Sequence, residues 1–384
     1  MVEGMCGAGG TADSERRECR ECERYRWIMV GAGGMARNWI RRYTEPHRSR
    51  VEIVALVDVN PVALRDASEF LGLPDSRCFA RMEDAFAAVD ADCAAVVVPP
   101  RVHRPAVELA AARGLDILSE KPMADTWEDA VAVYRAAQAA GVRLQIMQNY
   151  RYTPRIQTLK GVLESGRLGR IHYVAARFAA DYRQPLSWGA AFRHEMRHAI
   201  LVEGSIHHFD QIRHLTGQDC RTIAGWEWNP GAPSFKGECL TLYTMQLSGG
   251  AYAQYEGSGL AAGWQNTWHG EYYRVECEGG AVVLDRDQVV RIQEHARGRG
   301  LRVEEVPTVR LTLEGHAAVV GQFLDWLDGG PAPPTVVEDN LKSTAMLFGA
   351  IQASASNQAI DVAAMVAQAQ AASTAATAAT GARG

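Results

Sequence analysis

The sequence predicts an α/β protein in two parts. The first is a doubly wound parallel sheet; the second is an α+β domain on a large, open, mostly antiparallel sheet. Three observations predict it. Over residues 26–148, short apolar runs alternate with helical patterns, the order that parallel strands and crossover helices require. The first run enters a glycine-rich turn that opens a helix, Gly31-Ala32-Gly33-Gly34-Met35-Ala36. From about residue 170 to 313 the texture turns strand-like, with Gly-rich turns such as Ser248-Gly249-Gly250 and Gly279-Gly280, as antiparallel neighbours require.

In the first part, strands are predicted at 27–31, 51–58, 93–98, 115–118 and 142–147. Several are nearly continuous in Val, Ile and Leu, as strands buried on both faces should be. Helices are predicted between them at 34–43, 61–71, 82–89, 103–113 and 126–140. Beyond residue 150, helices at 154–164 and 203–216 are expected to cover one face of the second sheet. Its other face needs a cover, and a second subunit is a candidate. Two more helices are expected at 316–328 and 338–357, separated by Gly329-Gly330-Pro331 and Pro333-Pro334.

The expected organisation is a dinucleotide-binding unit at 26–150, a substrate and oligomerisation unit at 151–335, and a helix at 336–362 packing back on the core. Residues 1–25 read as an extension without fixed structure, and the Ala/Thr tract 363–384 as a frayed helix running into disorder. Cys19 and Cys22 form a C-x-x-C pair, and Cys6 is near. Zinc wants four ligands, so the pair reads as coincidence.

The chain has 384 residues, more than one core usually serves, since cores stop growing near ~250–300 residues. Its net charge of −5 argues against a nucleic-acid footprint. No apolar run reaches the roughly 18–20 residues of a membrane span. The N-terminal stretch has no apolar segment of the secretory kind, so a cytoplasmic location is expected. The eight cysteines are too scattered for a disulfide framework.

The turn at 31–36 has the G-x-G-x-x-A form of a dinucleotide fingerprint. Gly31 permits the tight turn, Gly33 lets a pyrophosphate approach the backbone, and Ala36 is small enough for helix and sheet to pack. Gly34 and Met35 open the helix whose N-terminus would face the phosphates. Asp58 ends the next strand and can accept hydrogen bonds from a ribose, favouring NAD over NADP. The alternative for Asp58 is a cap for the helix that starts at Pro61. Arg65, one turn on, leaves NADP open.

Two further segments carry chemistry. Glu120-Lys121-Pro122 follows the fifth strand, at the edge where open α/β sheets bind ligands. In Ile200–Gly217, Glu203, His207 and Asp210 fall on one helical face. With GAGGMA, VDVNP, VVPPRVHRPAVELAAARG, EKPMADT, NYRYTP and EGSIHHFDQIRHLTG in this order, the chain resembles the Gfo/Idh/MocA oxidoreductase family over roughly residues 26–360. The resemblance implies a Rossmann domain, a second domain with a large open sheet, and homodimers or homotetramers formed through that sheet. It also implies NAD, a sugar or cyclitol substrate, catalytic roles for Lys121 and His207, and a Lys121–Pro122 turn that some members hold in cis. Many members carry Asp where this chain has Glu203.

The chemistry is consistent with those residues. Oxidising a secondary alcohol releases a hydride to nicotinamide and a proton to a base. An imidazole takes that proton near neutral pH, and a lysine ammonium stabilises the alkoxide. Either Lys121 or His207 can exchange the proton, and Glu203 can orient His207. Pro99, Pro100 and His103 follow the fourth strand, where the nicotinamide half would lie; His103 either lines that site or caps its helix. Arg151 and Tyr152 either hold the substrate or bridge domains. Trp188, Arg193 and His194, with His198, read as a substrate loop suited to a polyol. His208 and His214 read as helix residues and Asp210 as a structural partner. No metal is expected, because hydride transfer of this design needs none. Two rival functions accompany the resemblance: an NAD-dependent glycoside hydrolase using transient oxidation, and a non-catalytic dinucleotide-binding regulator.

Overall fold

Runs of Val, Ile, Leu and Ala long enough to hide both faces build the first sheet. The computed structural model describes residues 24–189, 191–296 and 298–381. Cys6, Cys19, Cys22 and most of the 1–25 extension lie outside them. The strands are β1 (Tyr25–Val30), β2 (Val51–Val57), β3 (Cys78–Phe79), β4 (Cys93–Val96), β5 (Asp116–Ser119) and β6 (Leu144–Ile146). Their spatial order is β3-β2-β1-β4-β5-β6, with every pairing parallel. The chain therefore leaves β1 in one direction and returns at β4 on its other side, which opens a crevice at their C-terminal ends. β3 is too short to leave a periodic signal, and no strand is predicted there.

Local chemistry sets the helix ends. Helix Pro61–Leu71 starts on Asn60, whose Oδ1 accepts the Val62 and Ala63 N–H groups at 2.9 and 3.4 Å. It stops on Gly72 in the left-handed region (φ 69°). Asn60, not Asp58, is thus the cap. Helix Trp127–Ala140 starts on Thr126, which accepts the Asp129 N–H at 3.1 Å.

The second sheet has strands β7 (Ile171–Ala179), β8 (Cys220–Trp228), β9 (Leu240–Leu247), β10 (Tyr252–Ser258), β11 (Tyr272–Cys277), β12 (Gly280–Leu284), β13 (Val290–Ala296), β14 (Gly300–Val306) and β15 (Ile360–Asp361). They lie in the order β14-β13-β12-β11-β7-β10-β9-β8-β15, antiparallel except for the β7–β10 pair. Along β9, Tyr243, Met245 and Leu247 face inward while Leu242 and Thr244 are exposed, the period of a half-buried strand. Three helical segments cover the inner face rather than two. Pro154–Glu164 lies against β12, residues 200–216 against β7 and β10, and Val337–Ser356 against β8. The third is fastened by Tyr243, whose hydroxyl donates to the Ala350 carbonyl at 2.9 Å. The outer face exposes Trp226, Trp228, Leu242 and Tyr252.

Two segments depart from their expected place. Helix Gly315–Leu327 falls inside the expected 151–335 unit but packs on the first sheet. Phe323 meets Trp27 edge-on at 5.8 Å, and Val319, Val320 and Leu324 join Trp39 and Ile40 in one cluster. Its apolar stripe is complementary to a sheet face that the crossover helices leave bare. The Ala-rich tail forms a helix, Val362–Gly381, rather than fraying at once. Val362, Val366 and Ala369 are buried, which fastens its first turns. Residues 382–384 lie outside the described part.

Candidate active site

The glycine-rich turn sits at the C-terminal end of β1. Gly31 has φ 111°, and a Cβ there would lie 2.1 Å from the Val97 carbonyl oxygen. Only glycine fits. Gly34 has φ 48° with nothing within 4 Å of a built Cβ, and at Gly33 the nearest atom is the Ala63 Cβ at 3.5 Å. Met35 is exposed and Ala36 fully buried. The turn thus presents uncovered backbone to the crevice, the surface on which a pyrophosphate fits. Asp58 Oδ2 accepts the Ala32 and Gly33 N–H groups at 2.8 and 3.1 Å. Asp58 therefore braces the turn; its Oδ2 is taken up by these two bonds, while Oδ1, which accepts the Asn60 N–H at 2.8 Å, keeps a lone pair for a ribose hydroxyl. Gly31→Ala is expected to abolish measurable NAD binding by calorimetry and to cost about 2–4 kcal/mol of stability in denaturant unfolding. Unchanged binding would contradict this role for the turn.

Around β4 and β5, the expected cofactor residues do different jobs. His103 is fully buried, with Nδ1 2.8 Å from the Pro122 carbonyl oxygen and Nε2 2.8 Å from that of Val98. It ties two strand ends together and has no ring nitrogen left for a cofactor. Pro99 and Pro100 line a cleft of about 260 Å³ with Phe192, Glu195 and Met196, so the expected substrate loop faces the end of β4. Glu120 is buried; its Oε1 accepts the Trp39 indole N–H at 2.8 Å and lies 3.5 Å from His316 Nε2. Burial pushes its carboxyl up, but His316, Lys121 and Trp39 outweigh that and hold it below the ordinary value. The Lys121–Pro122 bond is cis.

Lys121 reaches across to the second sheet's helices. Its Nζ donates to the Glu203 carbonyl oxygen at 3.2 Å and lies 3.9 Å from Glu203 Oε2. The same Oε2 accepts Arg193 Nε at 2.9 Å. Burial pushes the Glu203 carboxyl up, yet the Lys121 and Arg193 charges bring it below its usual range. Residues Ile200–Ser205 form a π-helical segment before the α-helix Ile206–Thr216. Its wider turn breaks the single face expected from regular spacing. Glu203 turns to Lys121 and Arg193, His207 to Tyr150, and Asp210 to Arg151.

His207 is buried and stacks on Tyr150, with ring centroids 4.1 Å apart at 10°. Its Nδ1 is buried without a hydrogen-bond partner. Burial, then the neighbouring Lys121 ammonium, pushes its pKa well below the ordinary imidazole value, so the ring is neutral at pH 7. Tyr150 also meets Trp268 at 6.2 Å and His269 at 4.5 Å. His316 stacks on Tyr43 at 4.2 Å beside Glu120. Sequence reasoning did not single out Tyr150, Trp268, His269 or His316. Tyr150 stood within the NYRYTP motif; Trp268 and His269 lie in a connecting segment without any pattern, and His316 opens a helix whose apolar stripe gives no sign of it.

Other expected substrate residues are occupied elsewhere. Arg151 is buried and clamps Asp210 through Nε and Nη2, both at 2.6 Å, while Nη1 donates to the Pro334 carbonyl at 2.8 Å. It bridges elements through these bonds. Tyr152 packs against the cluster around Trp39 and Phe323. His194 is buried, with Nδ1 2.8 Å from the Ser234 carbonyl oxygen, while Nε2 accepts the Trp188 N–H at 3.3 Å. It shapes the loop. Trp188 is buried, stacks on Tyr182 at 4.7 Å, and holds Arg193 through its carbonyl at 3.1 Å. His208 sits against the Tyr255 hydroxyl at 2.8 Å.

Burial lowers the pKa of His207 and of His214, the latter to about 3. In the unfolded chain these rings titrate near ~6.5. Below that pH the unfolded state therefore binds protons that the folded state refuses. Stability is fully present above about pH 6.5 and falls as pH drops, by up to about 1.4 kcal/mol per unit for each ring. Denaturant unfolding at about pH 7.5 and about pH 5 measures this, and equal midpoints would contradict it.

A Rossmann sheet with this turn, set against a lysine, a buried histidine and a buried carboxylate, defines a dinucleotide-dependent oxidoreductase. Residues 25–148 match an oxidoreductase family with an NAD-binding Rossmann fold, and residues 156–283 match the GFO/IDH/MocA C-terminal domain. The chain is 36% identical over 348 residues to y4oX, an uncharacterized protein of Sinorhizobium fredii, spanning 88% of this chain and 96% of that one. It is 24% identical over 355 residues to D-apiose dehydrogenase of Paraburkholderia graminis, spanning 91% and 92%. An oxidoreductase from Agrobacterium radiobacter, solved in complex with NAD+, L-tartaric acid and magnesium, has the same fold. Its TM-score is 0.77 at 22% identity, covering 89% of this chain and 100% of that one. The protein belongs to the Gfo/Idh/MocA oxidoreductase family and carries its NAD-binding Rossmann domain. Among the described residues no helix is long and apolar enough to cross a membrane.

Proposed function

We propose that the protein oxidises a secondary alcohol of a sugar, sugar derivative or cyclitol, with Lys121 and His207 acting on the reacting oxygen. The observation that carries this is the pairing of the Lys121 ammonium, braced on Glu203 at 3.2 Å, with a buried His207 whose Nδ1 lacks a partner. Bound on the Gly31–Ala36 turn, NAD supplies the acceptor for the hydride. Lys121 stabilises negative charge on the substrate oxygen. His207, neutral through burial, accepts the proton. Glu203 does not orient His207 in this reading; it positions Lys121 and Arg193 and offsets their charge. Arg193 and the aromatic ring of Trp268 suit a polyol, which offers several hydroxyls and an apolar ring face. A sugar substrate also agrees with the likeness to D-apiose dehydrogenase.

Incubation with NAD and a panel of sugars and cyclitols tests the reading. Net accumulation of reduced nicotinamide with at least one of them is expected. Cofactor binding without turnover on any would favour a regulator, and product without net reduction a hydrolase. A second copy of the chain is the proposed cover for Trp226, Trp228, Leu242 and Tyr252 on the outer sheet face. The proposed setting is the cytoplasm.

A further inference from the structure

Three side chains that the redox site does not use converge elsewhere. His198, Glu227 and Glu238 bring a ring nitrogen and two carboxylate oxygens within 4.8 Å of one another. His198 Nδ1 lies 2.5 Å from Glu227 Oε1 and 3.5 Å from Glu238 Oε2. The three come from the turn after helix Ala191–Glu195, from β8, and from the segment entering β9. These segments are packed closely: a Cβ on Gly237 would lie 2.4 Å from the Met196 carbonyl oxygen.

The cluster is short of a cation. The Glu227 side chain is 3% exposed, and its Oε2 is buried without a hydrogen-bond partner. A buried carboxylate oxygen with no donor is costly and calls for an explanation. One imidazole N–H cannot satisfy two carboxylates. The other charged group acting on both is Arg197, whose guanidinium leaves Glu227 Oε2 unbonded.

We propose that His198, Glu227 and Glu238 bind a divalent cation of borderline softness, with Zn²⁺ as its probe. One imidazole nitrogen with carboxylate oxygens is a donor set that zinc accepts, and three protein ligands leave a fourth position for water. Binding through Nδ1 requires neutral His198 with its proton on Nε2. The bound ion would fasten the turn before the π-helical segment to the β8–β9 end of the sheet. It therefore braces the stretch between Arg193 and Glu203 without touching the reacting groups.

Tag-free full-length protein, stripped with chelator and dialysed, is titrated with ZnCl₂ by calorimetry and followed by thermal unfolding. Saturable binding of one equivalent and a raised Tm are expected. Glu227→Gln and Glu238→Gln should each weaken binding by at least about 10–100-fold, the range seen when even supporting partners of a metal are lost. Glu238 is 26% exposed, so its variant keeps the test valid if the buried Glu227 variant folds poorly. Retained NAD binding shows that each variant is folded. Absence of saturable Zn²⁺ binding to the wild-type protein, or equal binding by Glu238→Gln and His198→Gln, would overturn the proposal. Because no readout uses turnover, its failure is distinct from failure of the redox assignment.

Discussion

Lys121→Ala is expected to cut turnover by about 10²–10³-fold, the usual result of deleting one preorganised charge at a developing oxyanion. The ammonium is braced from one side by the Glu203 carbonyl and carboxylate, at 3.2 and 3.9 Å. The cost of orienting it is therefore met in the folded state. NAD affinity should stay within about two-fold, because the uncovered turn at Gly31–Ala36 holds the phosphates. Lys121→Arg keeps the charge but replaces a compact ammonium with a planar fork, so it should rescue turnover only weakly. Steady-state kinetics with calorimetric NAD binding measures both effects. Intact turnover in Lys121→Ala would remove the proposed chemistry.

Asp210→Ala is expected to lower stability by about 3–5 kcal/mol, since it strands a buried guanidinium. Arg151 is 4% exposed in its side chain and meets Asp210 through two 2.6 Å hydrogen bonds. Ser343 Oγ donates to the same carboxylate at 2.8 Å. Asp339 lies 3.3 Å from Arg151 but is shared with Arg213, so it cannot replace the lost partner. Denaturant unfolding measures the loss. The double variant Arg151→Met with Asp210→Leu removes both charges and should be more stable than Asp210→Ala alone. If the two variants unfold together, the pair is not what holds helix Ile206–Thr216 in place.

The readable parts of this chain are those set by near neighbours. Helix Pro61–Leu71 begins and ends where its pattern predicts, because Asn60, Pro61 and Gly72 are adjacent cap residues. The Gly31 turn was legible because its steric demand belongs to a few consecutive residues. The part of Asp58 was not: its place suits a ribose acceptor or a helix cap, and packing of the turn sets it on the Ala32 and Gly33 N–H groups and leaves the cap to Asn60. The roles of Arg151, His103 and His194 were hidden for another reason. A buried polar side chain is defined by its partners, and these lie far off in sequence at Asp210, Pro122 and Ser234. His269 and His316 carry no local signal and reach the site only because β11 and helix Gly315–Leu327 deliver them there.

Sequence alone determined the alternation of strand and helix and the dinucleotide turn, since each follows from periodicity or from a short contiguous motif, and the resemblance singled out Lys121 and His207 as candidates. Tertiary structure decided which charges pair, that a π-helical turn sends Glu203 to Lys121 rather than His207, and that His207 is buried and neutral. Those outcomes depend on desolvation and on hydrogen bonds closed across long loops, and neither exists until the two sheets and their helices have packed.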